Sequence, residues 1–149
     1  MSTSLSTPSL STPSPGAVVP AVQGFDRIEE LVPGERGVGV RNVPATLPAF
    51  DHHFPRHPIL PGVLLLESMA TLGKAVAGSE RGWRLAGVRG VRFKHFVGPG
   101  DQVRITVEVI GRTEHSTDVR ATAEVEGRVV AAARVLTLVS AEKPWEGTA

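Results

Sequence analysis

The chain has 149 residues, a formal net charge of +1 and neither cysteine nor tyrosine. That length supports one domain with one core, and the missing cysteine excludes disulfides, thiolate metal sites and a cysteine nucleophile. No run of residues reaches the length of a membrane span, and no aromatic rings interleave with the basic positions as a base-stacking surface requires, so neither membrane nor nucleic acid is expected as a partner.

Residues 1–22 are rich in Ser, Thr and Pro and repeat Ser-Leu-Ser-Thr-Pro from Ser4 and again from Ser9, a composition that cannot bury enough apolar surface to order itself. The first basic residue is Arg27, so the basic start of a secretory leader is missing and a cytoplasmic protein is expected. One domain is read over residues 23–141, followed by a polar tail over 142–149 that Pro144 and Gly147 keep from extending the preceding strand. Within the domain, Phe25–Val32 and Arg36–Val43 read as strands split by a Pro33-Gly34 turn, and a proline-rich loop follows.

From Val63 to about Ala77 the chain has good helix formers and no proline, with Pro61 and Gly62 just before the start. Val63, Leu64, Leu65, Leu66, Met69, Ala70, Leu72, Ala75 and Val76 cover nearly the whole circumference, which predicts a buried helix. Glu67, Thr71 and Lys74 are the polar exceptions, at i, i+4 and i+7, a single stripe suited to line a cavity. After Gly78 the pattern turns to strands. Val103, Ile105, Val107 and Val109 alternate with polar residues, Val119–Val125 does likewise, Glu126-Gly127 is a turn, and Val129–Val139 is apolar on both faces as a central strand would be. A long helix followed by antiparallel strands predicts an α+β fold with the sheet wrapped around that helix.

The chemistry-bearing residues lie in and before the helix. His53, on a proline-stiffened loop, has a side chain whose ordinary pKa suits a base at neutral pH. Glu67, among Leu64, Leu65, Leu66, Met69 and Ala70, has sequence neighbours that would bury a carboxyl, raise its pKa and keep it protonated as an acid. Gly62 would present a backbone N–H at a helix start, where the dipole favours developing negative charge. Each has a plainer reading: a solitary loop histidine is as a rule a surface residue, and Glu67 has Lys74 as an alternative partner. His53 and His57, with Asp51 and His52 nearby, have the spacing of a helical zinc pair, but Pro55 and Pro58 oppose a helix there and no metal is expected. His52 reads as loop surface, and His95 and His115 fall in strand-like stretches with no role assigned. Between Lys74 and Arg104 seven basic side chains face two acidic ones, which fits either an acidic partner or solvated strand faces.

The run His53-Phe54-Pro55-Arg56, Pro58-Ile59-Leu60-Pro61-Gly62-Val63 and Glu67-Ser68-Met69-Ala70-Thr71 resembles the signature of the 3-hydroxyacyl-acyl carrier protein dehydratases of fatty-acid and polyketide synthesis. That signature runs His-Phe-Pro-Gly, Pro-Ile-Met-Pro-Gly-Val and Glu-Ala-Met-Ala-Gln, with the same separation of His from Glu. Val91-Arg92-Phe93-Lys94 and Pro99-Gly100-Asp101-Gln102-Val103 extend the likeness, which spans Phe25 to Val139. The resemblance implies a hotdog fold assembled as dimers, with His53 taking a proton, Glu67 handling the hydroxyl and Gly62 N–H polarising the thioester carbonyl. His and Glu of one site would come from opposite subunits, and Phe54, Pro61, Val63, Thr71 and Phe93 would line the substrate. It implies no metal or nucleotide cofactor, and as partners an acyl carrier protein bearing the substrate and a second chain, the same or related.

Three departures from the pattern bear on the chemistry. Arg56 and His52 stand where the family has glycine, and if either position needs positive φ the cost is about 1–2 kcal/mol. Thr71 replaces a glutamine able to orient the carboxylate or the substrate. These departures leave two alternatives open: a catalytically impaired subunit that completes a heterodimer, and a hotdog thioesterase, which needs no loop histidine.

Overall fold

The computed structural model describes residues 21–44, 62–78 and 82–140. Strands β1 (Arg27–Val32) and β2 (Arg36–Asn42) precede helix α1 (Gly62–Ala77), and β3 (Trp83–Phe93), β4 (Gln102–Arg112), β5 (Ser116–Val125) and β6 (Arg128–Ser140) follow it. All six strands form one antiparallel sheet in the order β1-β2-β4-β5-β6-β3. The segments read as tails lie outside the described residues except for residues 21 and 22, where Val22 already accepts a hydrogen bond from Phe25 N–H. That turn sets the start of β1 at Arg27 rather than Phe25.

The turns follow their chemistry. Pro33-Gly34 reverses the chain between β1 and β2, and Gly34 N–H donates to Val76 O, tying the hairpin to the end of α1. Glu126 and Gly127 both have positive φ, 54° and 80°, as a two-residue hairpin turn requires to match the strand twist. Alternation sorts the faces as expected: Val103, Ile105 and Val107 are fully buried, while Arg104 and Glu108 take the outer side. β6 lies between β5 and β3 and is interior to the sheet.

Helix and sheet meet through residues of contrasting size. Leu65, Met69, Leu72 and Val76 descend from α1 onto a sheet face that carries the cross-strand pairs Ala121↔Ala133 and Ala123↔Ala131. The short alanines leave the volume that the long helix side chains fill, so the apolar face of each element is complete only against the other. Arg112 donates to Ala77 O at the helix end, satisfying one of its orphan carbonyls.

Among the described residues the helix is covered on one side only, which differs from the expectation of a buried helix. Val63 is 67% exposed, and Leu64 and Leu66 are half-buried, because a single sheet can cover only one flank of a helix. His95 and His115 lie in bends after β3 and before β5 rather than in strands. Two-residue periodicity overran the strand ends at both places.

The outer face of the sheet carries ion pairs: Arg27 and Arg104 with Glu29, Arg36 with Glu30, and Arg120 with Glu108. Partial burial pushes the Glu29 carboxyl up, but hydrogen bonds and charge from Arg27 and Arg104 outweigh it and hold the pKa below its ordinary value. A carboxyl with a lowered folded-state pKa stabilises the fold above its unfolded value, and that contribution is lost as pH falls through the folded value. Urea midpoints measured from neutral to acid pH should therefore show wild type above Glu29→Gln at neutral pH and the two converging in acid. A constant gap across the series would refute the assignment.

Candidate active site

Helix α1 begins at Gly62, where a side chain from another element approaches the bare backbone closely. A Cβ on Gly62 would lie 2.9 Å from Cε1 and Cζ of Phe93, the last residue of β3. The ring therefore packs on the bare first turn, whose N–H groups have no intrahelical partners and sit at the positive end of the helix dipole. Phe93 remains 52% exposed, so its ring has room to swing away from an added methyl. Gly62→Ala should then reduce kcat/KM for this site's reaction with little change in unfolding temperature, and a Phe93→Ala background should blunt the effect. Undiminished activity of Gly62→Ala alone would show that neither the ring nor the first turn is placed for function.

Glu67 lies five residues further along α1, about 7.5 Å up the axis. Its side chain is exposed in the single chain, contrary to the expectation of an apolar surround. The leucines beside it in sequence explain the difference: Leu65 turns into the core, while Leu64 and Leu66, half-buried, border the same concavity as Glu67 without enclosing it. Glu67 instead borders two concavities. One, of about 360 Å³, is walled by Val63, Leu64, Leu66, Ala70, Thr71, Lys74 and Leu85; the other, of about 290 Å³, by Gln23, Gly24, Arg41, Ser68 and Thr71. The polar stripe thus lines a cavity, as its spacing predicts.

Thr71 does not take the orienting part open to the family's glutamine. Its hydroxyl donates 2.9 Å to the backbone carbonyl of Glu67, one helical turn back, and so spends its proton inside the helix. A different contact fixes this stretch from outside. Arg41 Nη1 on β2 donates 2.7 Å to Oγ of Ser68, which is 5% exposed, pinning the turn that carries Glu67 to the sheet. Sequence reasoning missed both residues. The available signal was a hydroxyl, Ser68, where the quoted pattern has alanine.

Of the expected site residues, Gly62, Val63, Glu67, Thr71 and Phe93 are described: Val63, Glu67 and Thr71 border one concavity, while Phe93 covers Gly62. His53, Phe54 and Pro61 lie outside the described residues, as do Asp51, His52, Arg56 and His57. Among the described residues no three His, Asp or Glu side chains gather as metal ligands. Pro99-Gly100-Asp101 is a clip: Gly100 N–H donates to Val43 O, Val43 N–H to Asp101 O, and Gly98 N–H to the Asp101 carboxylate, joining the end of β2 to the start of β4. Arg84, Arg89, Arg92 and Lys94 are exposed on and just after β3, with no ion pair among the described residues.

Among the described residues one helix lies against one face of a six-stranded antiparallel sheet, with a carboxylate on its open flank, which defines a protein of the hotdog fold. Solved structures agree. The dehydratase heterocomplex ApeI:P from Xenorhabdus doucetiae superposes with a TM-score of 0.60 at 17% identity, over 76% of this chain and 95% of that one. A hypothetical thioesterase from Streptococcus pneumoniae, solved with coenzyme A, gives 0.65 at 14% identity over 80% and 90%. At such identities the likeness is one of fold alone. Sequence decides further: the ApeI dehydratase family model matches residues 33–133. The 3-hydroxyacyl-[acyl-carrier-protein] dehydratase FabZ of Syntrophotalea carbinolica is 40% identical over 116 residues, 74% of this chain and 79% of that protein. Its counterpart in Granulibacter bethesdensis is 36% identical over 126 residues, 80% and 74%. The chain belongs to the FabZ-like family of hotdog dehydratases.

Proposed function

We propose that this chain removes water from a 3-hydroxyacyl thioester carried on acyl carrier protein, giving the trans-2-enoyl thioester in cytoplasmic fatty-acid or polyketide synthesis. The observation that carries the reading is the unbroken order of His53, Gly62 and Glu67 in a chain that is 40% identical to a FabZ dehydratase. His53 takes the proton from C2, the electron pair left there forms the new double bond to C3, and the C3–O bond breaks. Glu67 gives its proton to the departing hydroxyl, so that water leaves, and the proton held by His53 restores the balance afterwards. Gly62 N–H donates to the thioester oxygen while negative charge sits on it. Val63, Thr71 and Phe93, with Phe54 and Pro61, border the acyl group.

A carboxyl that gives up a proton near neutral pH has to be shielded from water. In the single chain Glu67 is exposed, so the shield in this reading is the bound acyl group together with a second hotdog chain laid on the uncovered flank of α1. His53 and Glu67 of one site would then belong to different subunits. Exposed Arg84, Arg89, Arg92 and Lys94 suit the acidic carrier protein by charge. The exposed flank equally suits a related but different partner chain, the second reading.

The test is incubation of the purified full chain with 3-hydroxyacyl groups of several lengths on carrier protein, following loss of water by mass spectrometry, with oligomeric state measured in parallel. Enoyl product from a homodimer supports the proposal. An inert homodimer would move the assignment to a partner-dependent subunit, and release of free acid and thiol would move it to a thioesterase.

A further inference from the structure

Lys74 borders the same concavity as Glu67 and is the furthest along α1 of the residues that line it. The two residues are seven apart on α1, two turns or about 10 Å along the same face. Between them the wall is apolar, made by Leu66, Ala70 and, from β3, Leu85. Lys74 is half-buried, and its side chain makes no hydrogen bond or ion pair among the described residues, Glu67 included. With no protein partner among the described residues, the ammonium is available to an oxygen bound beside it in the concavity. An alkyl chain lying along this wall would end against that ammonium.

We infer that Lys74 is a specificity-determining residue which selects acyl groups bearing a carboxylate at their distal end over plain alkyl chains of equal length. The inference rests on the proposed reading in one respect: Glu67 marks where C3 of the substrate sits. An extended chain advances about 1.2 Å per bond, so ~10 Å corresponds to about eight bonds beyond C3. Long side chains on a helix lean toward its N-terminus, the direction of Glu67 from Lys74, which lowers the favoured length to about five to eight bonds. The carboxylate would accept charge-assisted hydrogen bonds from Nζ, while the methylenes between cover Leu66, Ala70 and Leu85. The competing possibility is that the ammonium swings out to bulk water and leaves only its stem on the wall, in which case the two kinds of chain are not told apart.

Binding separates this from the question of catalysis. Pantetheine thioesters of saturated acyl groups lack the 3-hydroxyl and cannot be dehydrated, so their affinity reports the wall and Lys74 alone. Isothermal titration of the full chain with methyl-ended and carboxylate-ended members of equal length would be run for wild type, Lys74→Met, which keeps the stem, and Lys74→Arg. Wild type should favour the carboxylate end about tenfold or more. Lys74→Met should reverse the preference and Lys74→Arg should keep it, with all three melting at similar temperatures. The same ratio in wild type and Lys74→Met, or no binding of either chain by wild type, would overturn the inference. A retained preference in a protein that dehydrates no 3-hydroxyacyl substrate would sink the proposed activity and leave the role of Lys74 standing.

Discussion

Glu67→Gln is expected to lower kcat/KM for dehydration by about 10²–10⁴-fold while leaving the unfolding temperature in place. The amide matches the carboxyl in size and still hydrogen-bonds, but it has no acidic proton to give to the departing hydroxyl. The second half of the expectation follows from the fold. Glu67 is exposed and in no ion pair among the described residues, and surface exchanges of that kind stay within about 0.5 kcal/mol. His53→Ala should cost a similar factor for the complementary reason, loss of the group proposed to take the C2 proton. Steady-state kinetics on carrier-protein substrates, read beside a thermal melt of each variant, checks both halves. A Glu67→Gln variant that keeps its rate would remove the carboxylate from the mechanism, and a large fall in melting temperature would mean that Glu67 holds structure.

How much of this could be read from the chain alone depended on whether the deciding contact was local. The strands β4 and β5 were legible because Val103, Ile105 and Val107, then Val119, Ala121 and Ala123, alternate with polar residues and one face is fully buried. The helix start at Gly62 and the Glu126-Gly127 turn were legible from residue chemistry within a few positions. The exposure of Glu67 was not, since a run such as Leu64-Leu65-Leu66 states that a helix is apolar without stating which flanks are covered. That depends on how many layers pack against it. The Arg41–Ser68 contact joins residues 27 apart and needs β2 beside α1 before it has meaning. Strand β3 was hard to delimit because Gly87, Gly90 and its arginines break the two-residue period, while its pairing with β6 from Trp83↔Ser140 to Phe93↔Ala131 holds it in the sheet.

The one-sided seat of α1 makes Leu72→Ala the most damaging small change on the helix. Leu72 is fully buried in the same cluster as Ile105, Val119 and Leu136, on the flank turned to the sheet. Truncation there should cost about 2–5 kcal/mol, the lost transfer energy plus the cavity left behind. Set against the 5–15 kcal/mol that holds a typical domain, that is a drop in melting temperature on the order of ten degrees. Activity should fall as well, since the helix that settles toward the cavity carries Glu67 and the Gly62 N–H with it, and positioning errors of an ångström are costly in catalysis. Val63→Ala, on the same helix but 67% exposed in the single chain, removes apolar atoms that the sheet does not cover and should stay within about 0.5 kcal/mol at dilutions where the chains stand apart. Urea unfolding of the two variants therefore measures how the helix is covered in solution. A cost at Val63 approaching that at Leu72, and growing with protein concentration, would mean that a second chain covers the open flank.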